Sequence, residues 1–247
     1  MTESTTSPPP PLTALSDLGA QLRSAGYAVL DAASLSALST VAPAQLASWT
    51  RFWDDLPSDR YLRDGGRYRR RRHACFVVEG ADVRQAPHRA HWQPVEYNAL
   101  HGGMQRWFEP VAPAVVAAPA WQALLRALAA TSSALRGDRP WFIEAHQFRI
   151  DTEGGIGRPT PEGAHRDGVD LVAVFLVGRQ GIKGGETRVF QADGPAGQRF
   201  TLLEPWSLLL LDDERVIHES TPIQPEGAAG HRDTLVLTSR AGGFQGD

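Results

Sequence analysis

Between residues 141 and 240 the chain consists of short runs rich in β-branched and aromatic residues, separated by Gly, Pro and Asp turns. This pattern constrains the fold more than any other feature of the sequence. The runs fall at 141–150, 169–177, 186–191, 199–203, 206–211, 216–223 and 234–239. About seven short strands in about a hundred residues indicate a β-sandwich, jelly roll or barrel. No internal repeat is apparent.

The first half reads differently. Leu12, Leu15, Leu18 and Leu22 recur at helical spacing and Gly26 stands where a helix would be capped. A strand follows at 27–30, then a helical segment at 32–56 interrupted at Pro43, with Trp49, Phe52 and Trp53 as a packing face. Residues 110–135 look helical but broken at Pro113 and Pro119, and these helices are expected to flank a sheet. Residues 1–11 end in four consecutive prolines and read as a disordered or polyproline-like tail. The rest, 12–247, reads as a single domain with a helical part at 12–60.

Twenty-five Lys and Arg against 28 Asp and Glu give a net charge of -3, which provides no global attraction to nucleic acid or anionic membrane. The basic run Arg67 to Arg72 reads as a solvated edge strand or a set of carboxylate partners. The one cysteine, Cys75, excludes an intrachain disulfide and a thiolate zinc cluster and suits a reducing compartment. No run approaches the ~18 apolar residues of a membrane span. The expectation is a cytoplasmic protein acting on a small molecule, with a homodimer as the candidate assembly.

The chemistry concentrates in His165-Arg166-Asp167. Residues i and i+2 of an extended strand share a face, so this imidazole and this carboxylate can converge on one ion. A second copy, His231-Arg232-Asp233, makes the tripeptide alone indecisive, but only the first is followed by a distal histidine on a predicted strand, His218. Two imidazoles and a carboxylate occupy one face of an octahedral ion and leave three positions open, the pattern of non-haem Fe(II) sites for oxygen chemistry. Zinc more often takes four ligands, or three and one water. The open positions admit a bidentate 2-oxo acid and then O2. The far carboxylate of such a co-substrate needs a counter-charge, which Arg232 can supply as a planar fork, with Thr234 on the same strand face as a further donor.

The chain resembles the Fe(II)/2-oxoglutarate-dependent dioxygenases, and within them the bacterial free amino acid hydroxylases similar to L-isoleucine 4-hydroxylase. The resemblance is carried by His146-Gln147-Phe148-Arg149, by Pro161-Glu162-Gly163-Ala164-His165-Arg166-Asp167-Gly168, by Gly184-Gly185-Glu186-Thr187, by His218, and by His231-Arg232-Asp233. Gly66 to Arg69, and Asn98 with Gly102, Gly103 and Arg106, are fainter echoes. It implies a mainly β fold with flanking helices, a cupin-like double-stranded β-helix (jelly roll) spanning about 61–240. It also implies His165, Asp167 and His218 as iron ligands and Arg232 as the anchor of 2-oxoglutarate. O2 would oxidise this co-substrate to succinate and CO2 while a hydroxyl is placed on an unactivated C–H. Because Asp167 is present, hydroxylation rather than halogenation is expected, on a substrate expected to be a free amino acid.

Other residues carry two readings. Gln147 and Arg149 share a face of the first core strand and either orient a substrate or co-substrate carboxylate or form a polar pair, while His146 is expected to face the other way as a structural histidine. Glu162 either pairs with a substrate ammonium or stabilises the turn before His165, and Asp170 either supports a ligand imidazole or merely starts a strand. Tyr68 and Arg69 either contact a lid or pack at the surface. His73, His88, His91 and His101 complete no metal pattern. The alternatives are a metal-binding jelly roll without oxygenase activity and a cupin-like metal-dependent hydrolase or isomerase; only the oxygenase needs a buried guanidinium for a co-substrate.

Overall fold

The computed structural model describes residues 8–247. Most of the expected tail, residues 1–7, lies outside the described residues, and the Pro8 carbonyl accepts from the Thr201 N–H at 3.4 Å.

Helix α1 (Leu18–Ala25) follows a single 3-10 turn and ends at Gly26, whose φ of 77° is the left-handed cap conformation and whose N–H donates to Leu22 O. Strand β1 (Tyr27–Leu30) follows. The segment predicted as one interrupted helix at 32–56 is α2 (Ala32–Ser39), α3 (Pro43–Ala47) and a 3-10 turn (Thr50–Trp53). Asp31 caps α2, its Oδ1 accepting from Ser34 N at 2.7 Å. Pro43 sits in the first turn of α3, where a missing N–H costs nothing, so it starts a helix rather than interrupting one. Pro113 and Pro119 do the same for α4 (Pro113–Val116) and α5 (Pro119–Arg136). Among the described residues no helix is long and apolar enough to cross a membrane.

The strands are β2 (Arg69–Glu79), β3 (Asp82–Gln85), β4 (Trp141–Asp151), β5 (Leu171–Gln180), β6 (Ile182–Gly184), β7 (Thr187–Gln191), β8 (Gly197–Phe200), β9 (Leu208–Asp212), β10 (Val216–Ser220), β11 (Ile223–Pro225) and β12 (His231–Ala241). Seven form one antiparallel sheet in the order β1-β9-β5-β12-β4-β2-β3; β10-β7-β8 and β11-β6 form the opposing layer. The result is a jelly roll with helices on one face. The basic run is not a solvated edge: β3 pairs only with the far end of β2, Phe76 to Glu79, but residues 57–59 cover Arg69 to Arg71, with Asp59 N donating to Arg69 O and Arg71 N to Pro57 O at 2.9 Å each, and Arg69 and Arg71 are buried. Its other predicted reading holds: Arg69 pairs with Asp59 at 2.7 Å and Arg70 with Asp151 at 3.2 Å.

Alternation along the large sheet divides its two faces. Trp141, Ile143 and Ala145 on β4, Leu235 and Leu237 on β12, and Ala173 and Phe175 on β5 pack against the helices through Trp49, Trp53, Trp121 and Leu125 in the main core. The residues of opposite parity face the second layer. Near one end they meet Leu209, Val189 and Phe200; elsewhere they line a cavity.

This parity corrects the expectation for β4. Glu144, His146, Phe148 and Ile150 line the cavity, whereas Gln147 and Arg149 lie on the helix side. Arg149 is held there by Asp233, through Nε to Oδ1 at 2.8 Å and Nη2 to Oδ2 at 2.7 Å, so its reading as a substrate contact gives way to a structural one. Asp233 is 1 % exposed, and removing its partner strands a buried charge. Arg149→Ala is expected to cost about 3 kcal/mol of unfolding free energy, measured by urea denaturation, with the KM values of the folded enzyme unchanged.

Candidate active site

His165 and His218 are paired across the layer as antiparallel neighbours: His165 N donates to His218 O at 3.0 Å and His218 N to His165 O at 2.9 Å. Their rings therefore leave the same face, with centroids 4.7 Å apart. Asp167, two residues on, joins them: its Oδ1 is 3.9 Å from His165 Nε2 and its Oδ2 is 3.7 Å from His218 Nε2. The sequence-predicted triad is thus assembled, with one ligand atom of each residue within 4.8 Å of the others. The His165 Nδ1–H donates to Gly163 O at 2.9 Å, which turns the Nε2 lone pair toward the shared point.

The turn after the triad is held by a residue that the sequence did not single out. Asp213, fully buried, accepts from the backbone N–H of Asp167 (3.0 Å), Gly168 (2.7 Å) and Val169 (3.1 Å). Gly168 has φ 74°, and a Cβ there would lie 2.4 Å from the Tyr97 ring, so only glycine fits. Burial, and then the neighbouring Asp167 charge, push the Asp213 carboxyl up to about 7 despite those three donors. Burial and Glu162 likewise raise Asp167, while burial holds His218 well below its ordinary value. At His165 burial is outweighed by the Asp167 and Glu162 charges, which raise it. Two imidazoles among crowded carboxylates form a site short of positive charge, which a divalent cation supplies.

The triad opens into a cavity of about 140 Å3, a volume suited to small metabolites. Its walls hold charges that have no partner. Arg232 is 4 % exposed, forms no ion pair among the described residues, and leaves Nη2 without a hydrogen-bond partner. Burial, with the Arg179 charge nearby, pushes its pKa down to about 10. Thr234 lines the same wall, as predicted. The two tripeptides therefore have opposite parity: the first directs its histidine and aspartate into the cavity, the second only its arginine, leaving Asp233 to Arg149.

The irregular segment between β3 and α4 closes the cavity. Gln93 links three site residues: its Nε2 donates to Asp167 Oδ1 at 3.3 Å, and its Oε1 accepts from Arg106 Nη2 at 2.9 Å and Asn98 Nδ2 at 3.2 Å. Arg106, 2 % exposed, makes no ion pair among the described residues; burial pushes its pKa down to about 10. Glu162 points inward, Oε1 lying 3.6 Å from His165 Nε2 and Oε2 having no partner. Asp170 does not reach an imidazole; its Oδ2 accepts from Ala241 N at 2.8 Å. Tyr68 is buried and donates to Asp64, and Arg69 lies at the cavity wall rather than at the surface.

His73 and His91, given no role from sequence, pack with Glu144 and His146 as a second buried group of metal-type side chains. Alternation could have placed Glu144 and His146 on one face of β4. The arrival of His91 from a loop has no local sequence signal.

The sequence profile of 2OG-Fe dioxygenases matches residues 50–238. A bsmA homologue from Methylobium petroleophilum PM1 is similar in structure with a TM-score of 0.89 and 54 % identity, over 95 % of this chain and 96 % of that one. Two more distant structures share the fold: IDO from Bacillus thuringiensis (TM-score 0.74, 17 % identity, 92 % of this chain and 98 % of that one) and the Fe(II)/α-ketoglutarate-dependent dioxygenase TqaL (TM-score 0.68, 19 % identity, 94 % and 88 %). Among curated proteins none matches significantly. The jelly roll, the converging triad and a profile match over most of the chain agree, and the protein belongs to the 2OG-Fe dioxygenase family of oxygenases that use Fe(II), 2-oxoglutarate and O2.

Proposed function

We propose that this oxygenase hydroxylates a free amino acid, with His165, Asp167 and His218 as the iron ligands. The observation that carries the reading is the pair of buried guanidinium groups that have no carboxylate partner among the described residues, Arg232 and Arg106, on the walls of one cavity. A buried cation is costly unless something pairs with it, so two such groups call for two anionic guests. Arg232, with Thr234, takes the far carboxylate of 2-oxoglutarate; Arg106, braced by Gln93, takes the substrate carboxylate. The unpartnered Oε2 of Glu162 suits an α-ammonium. When bound, iron and 2-oxoglutarate supply the O2-dependent oxidation of a C–H. The chain holds the ligand face rigid through Asp213 and orients the guest through opposite charges. A cytoplasmic location belongs with this reading, since the one cysteine, Cys75, is a buried free thiol.

Anaerobic addition of Fe(II) and 2-oxoglutarate is expected to give the weak visible charge-transfer band of the chelated co-substrate. Admission of O2 with a panel of free amino acids should then give succinate matched by hydroxylated product for one or a few of them. A band with no amino acid turned over would refute the substrate assignment; absence of both would refute the site.

A further inference from the structure

The second histidine group lies in the cavity wall and is governed by hydrogen positions. Glu144 Oε2 is 2.7 Å from His91 Nδ1, 2.9 Å from His73 Nε2 and 4.0 Å from His146 Nε2. Arg71 Nη2 lies 2.7 Å from His146 Nδ1, and its guanidinium is stacked between Phe108 and Phe148, with Cζ 3.8 and 4.5 Å from the ring centroids.

Donor and acceptor rules then assign every proton. An arginine has no acceptor, so His146 Nδ1 must be the lone-pair nitrogen, and its neutral ring carries the proton on Nε2. A protonated Nε2 cannot ligate a metal, which removes His146 from any ion site. An ionised carboxylate only accepts, so His91 carries its proton on Nδ1 and leaves Nε2 bare; His73 likewise donates from Nε2. The electrostatics agree: burial lowers His91 to about 3 and His146 well below its ordinary value, and the His91 and His73 N–H groups keep Glu144 ionised against its own burial.

His73 Nδ1 is enclosed without a partner. His91 and His146, by contrast, line the cavity, with ring centroids 4.7 Å apart and planes at 72°. Among the described residues neither Nε2 has a hydrogen-bond partner, and both rings line the cavity, so its wall offers one acceptor, His91 Nε2, and one donor, His146 Nε2–H.

We propose that this pair reads a neutral side-chain group that both donates and accepts, a hydroxyl or a carboxamide, and that the substrate is a polar amino acid rather than an aliphatic one. The proposal rests on the cavity being the substrate site. A carboxylate has no hydrogen for His91 and an ammonium has no lone pair for His146. A hydrocarbon would cover both nitrogens unpaired, and sites built to bond a polar group reject analogues lacking it by large factors.

The first test reads tautomers and binding in the metal-free protein; the oxygenase assay above supplies a second. Long-range 1H–15N correlation of the imidazole nitrogens should show His91 protonated on Nδ1 and His146 on Nε2. Titration with matched amino acids, threonine against valine and asparagine or glutamine against leucine, should shift the His91 Nε2 resonance with the polar member alone, with affinity ratios of ~100 or more. The pair that discriminates tells hydroxyl from carboxamide. His91→Phe should reduce the ratio below ~10, and His91→Gln, whose amide oxygen can accept, should restore part of it. The opposite tautomers, equal binding of the members of every pair, or binding of neither would overturn the proposal. Turnover of aliphatic amino acids alone would overturn it while leaving the oxygenase reading intact, because the charge-transfer band and succinate test that separately.

Discussion

Asp167→Ala is expected to lower kcat/KM by more than the ~10–100-fold that accompanies loss of a residue merely supporting a metal ligand. Bound iron, measured in the protein after desalting, should fall in parallel, and His218→Ala should do the same. The cause is geometric. The two imidazoles are locked together by their backbone pair and do not depend on the carboxylate for position, so the substitution removes a ligand without disturbing the scaffold. Stability provides the control. In the metal-free chain burial raises the Asp167 carboxyl, the His165 charge offsetting this only in part and the Glu162 charge adding to it, so on balance its removal relieves a strain. The Tm of metal-free Asp167→Ala should equal or exceed that of the parent, whereas its stabilisation by added Fe(II) should vanish. A variant that unfolds, or one that keeps both iron and turnover, would refute the ligand assignment.

Arg232→Ala should raise the KM for 2-oxoglutarate by about 100-fold with a smaller effect on saturated turnover, as expected for loss of a bidentate charge-assisted contact worth ~3 kcal/mol. Steady-state succinate formation at varied co-substrate measures it. Arg232→Lys should recover only part of the loss, because an ammonium offers a point charge in place of a planar fork. The guanidinium is buried and unpaired among the described residues, with a depressed pKa, so its removal should not destabilise the metal-free protein. This contrasts with Arg149, which faces the other side of the sheet: that arginine is saturated by Asp233, and its loss should be read in stability, not in KM.

The metal ligands were legible because their recognition needs only strand parity and chain order. His165 and Asp167 share a face by the two-residue period, and His218 is the histidine that follows on a later strand. Arg232 followed from the need for a counter-charge. The same period misled on β4, where the position of His146, Gln147 and Arg149 was clear as a set but not which parity faced the cavity. That choice depends on which face the helices cover, and Ile143, Ala145 and Trp53 settle it only once packed. In sequence the prolines at 43, 113 and 119 look like breaks, yet a proline fits the first turn of a helix as readily as it ends one, and the packing of short helices on the sheet decides between these.

The sequence alone determined the β-rich class, the triad and the anchoring arginine, since these depend on local periodicity and on residue chemistry that any strand would present. The tertiary structure alone decided the cover of the site. Gln93, Arg106 and His91 come from an irregular segment with no period, Asp213 reaches across from the end of β9 to the turn at Gly168, and Glu144 gathers histidines from two strands and a loop. Burial is what gives these groups their character: a guanidinium, carboxylate or imidazole acquires a shifted charge, a fixed tautomer or a missing partner only when the whole chain has excluded water around it.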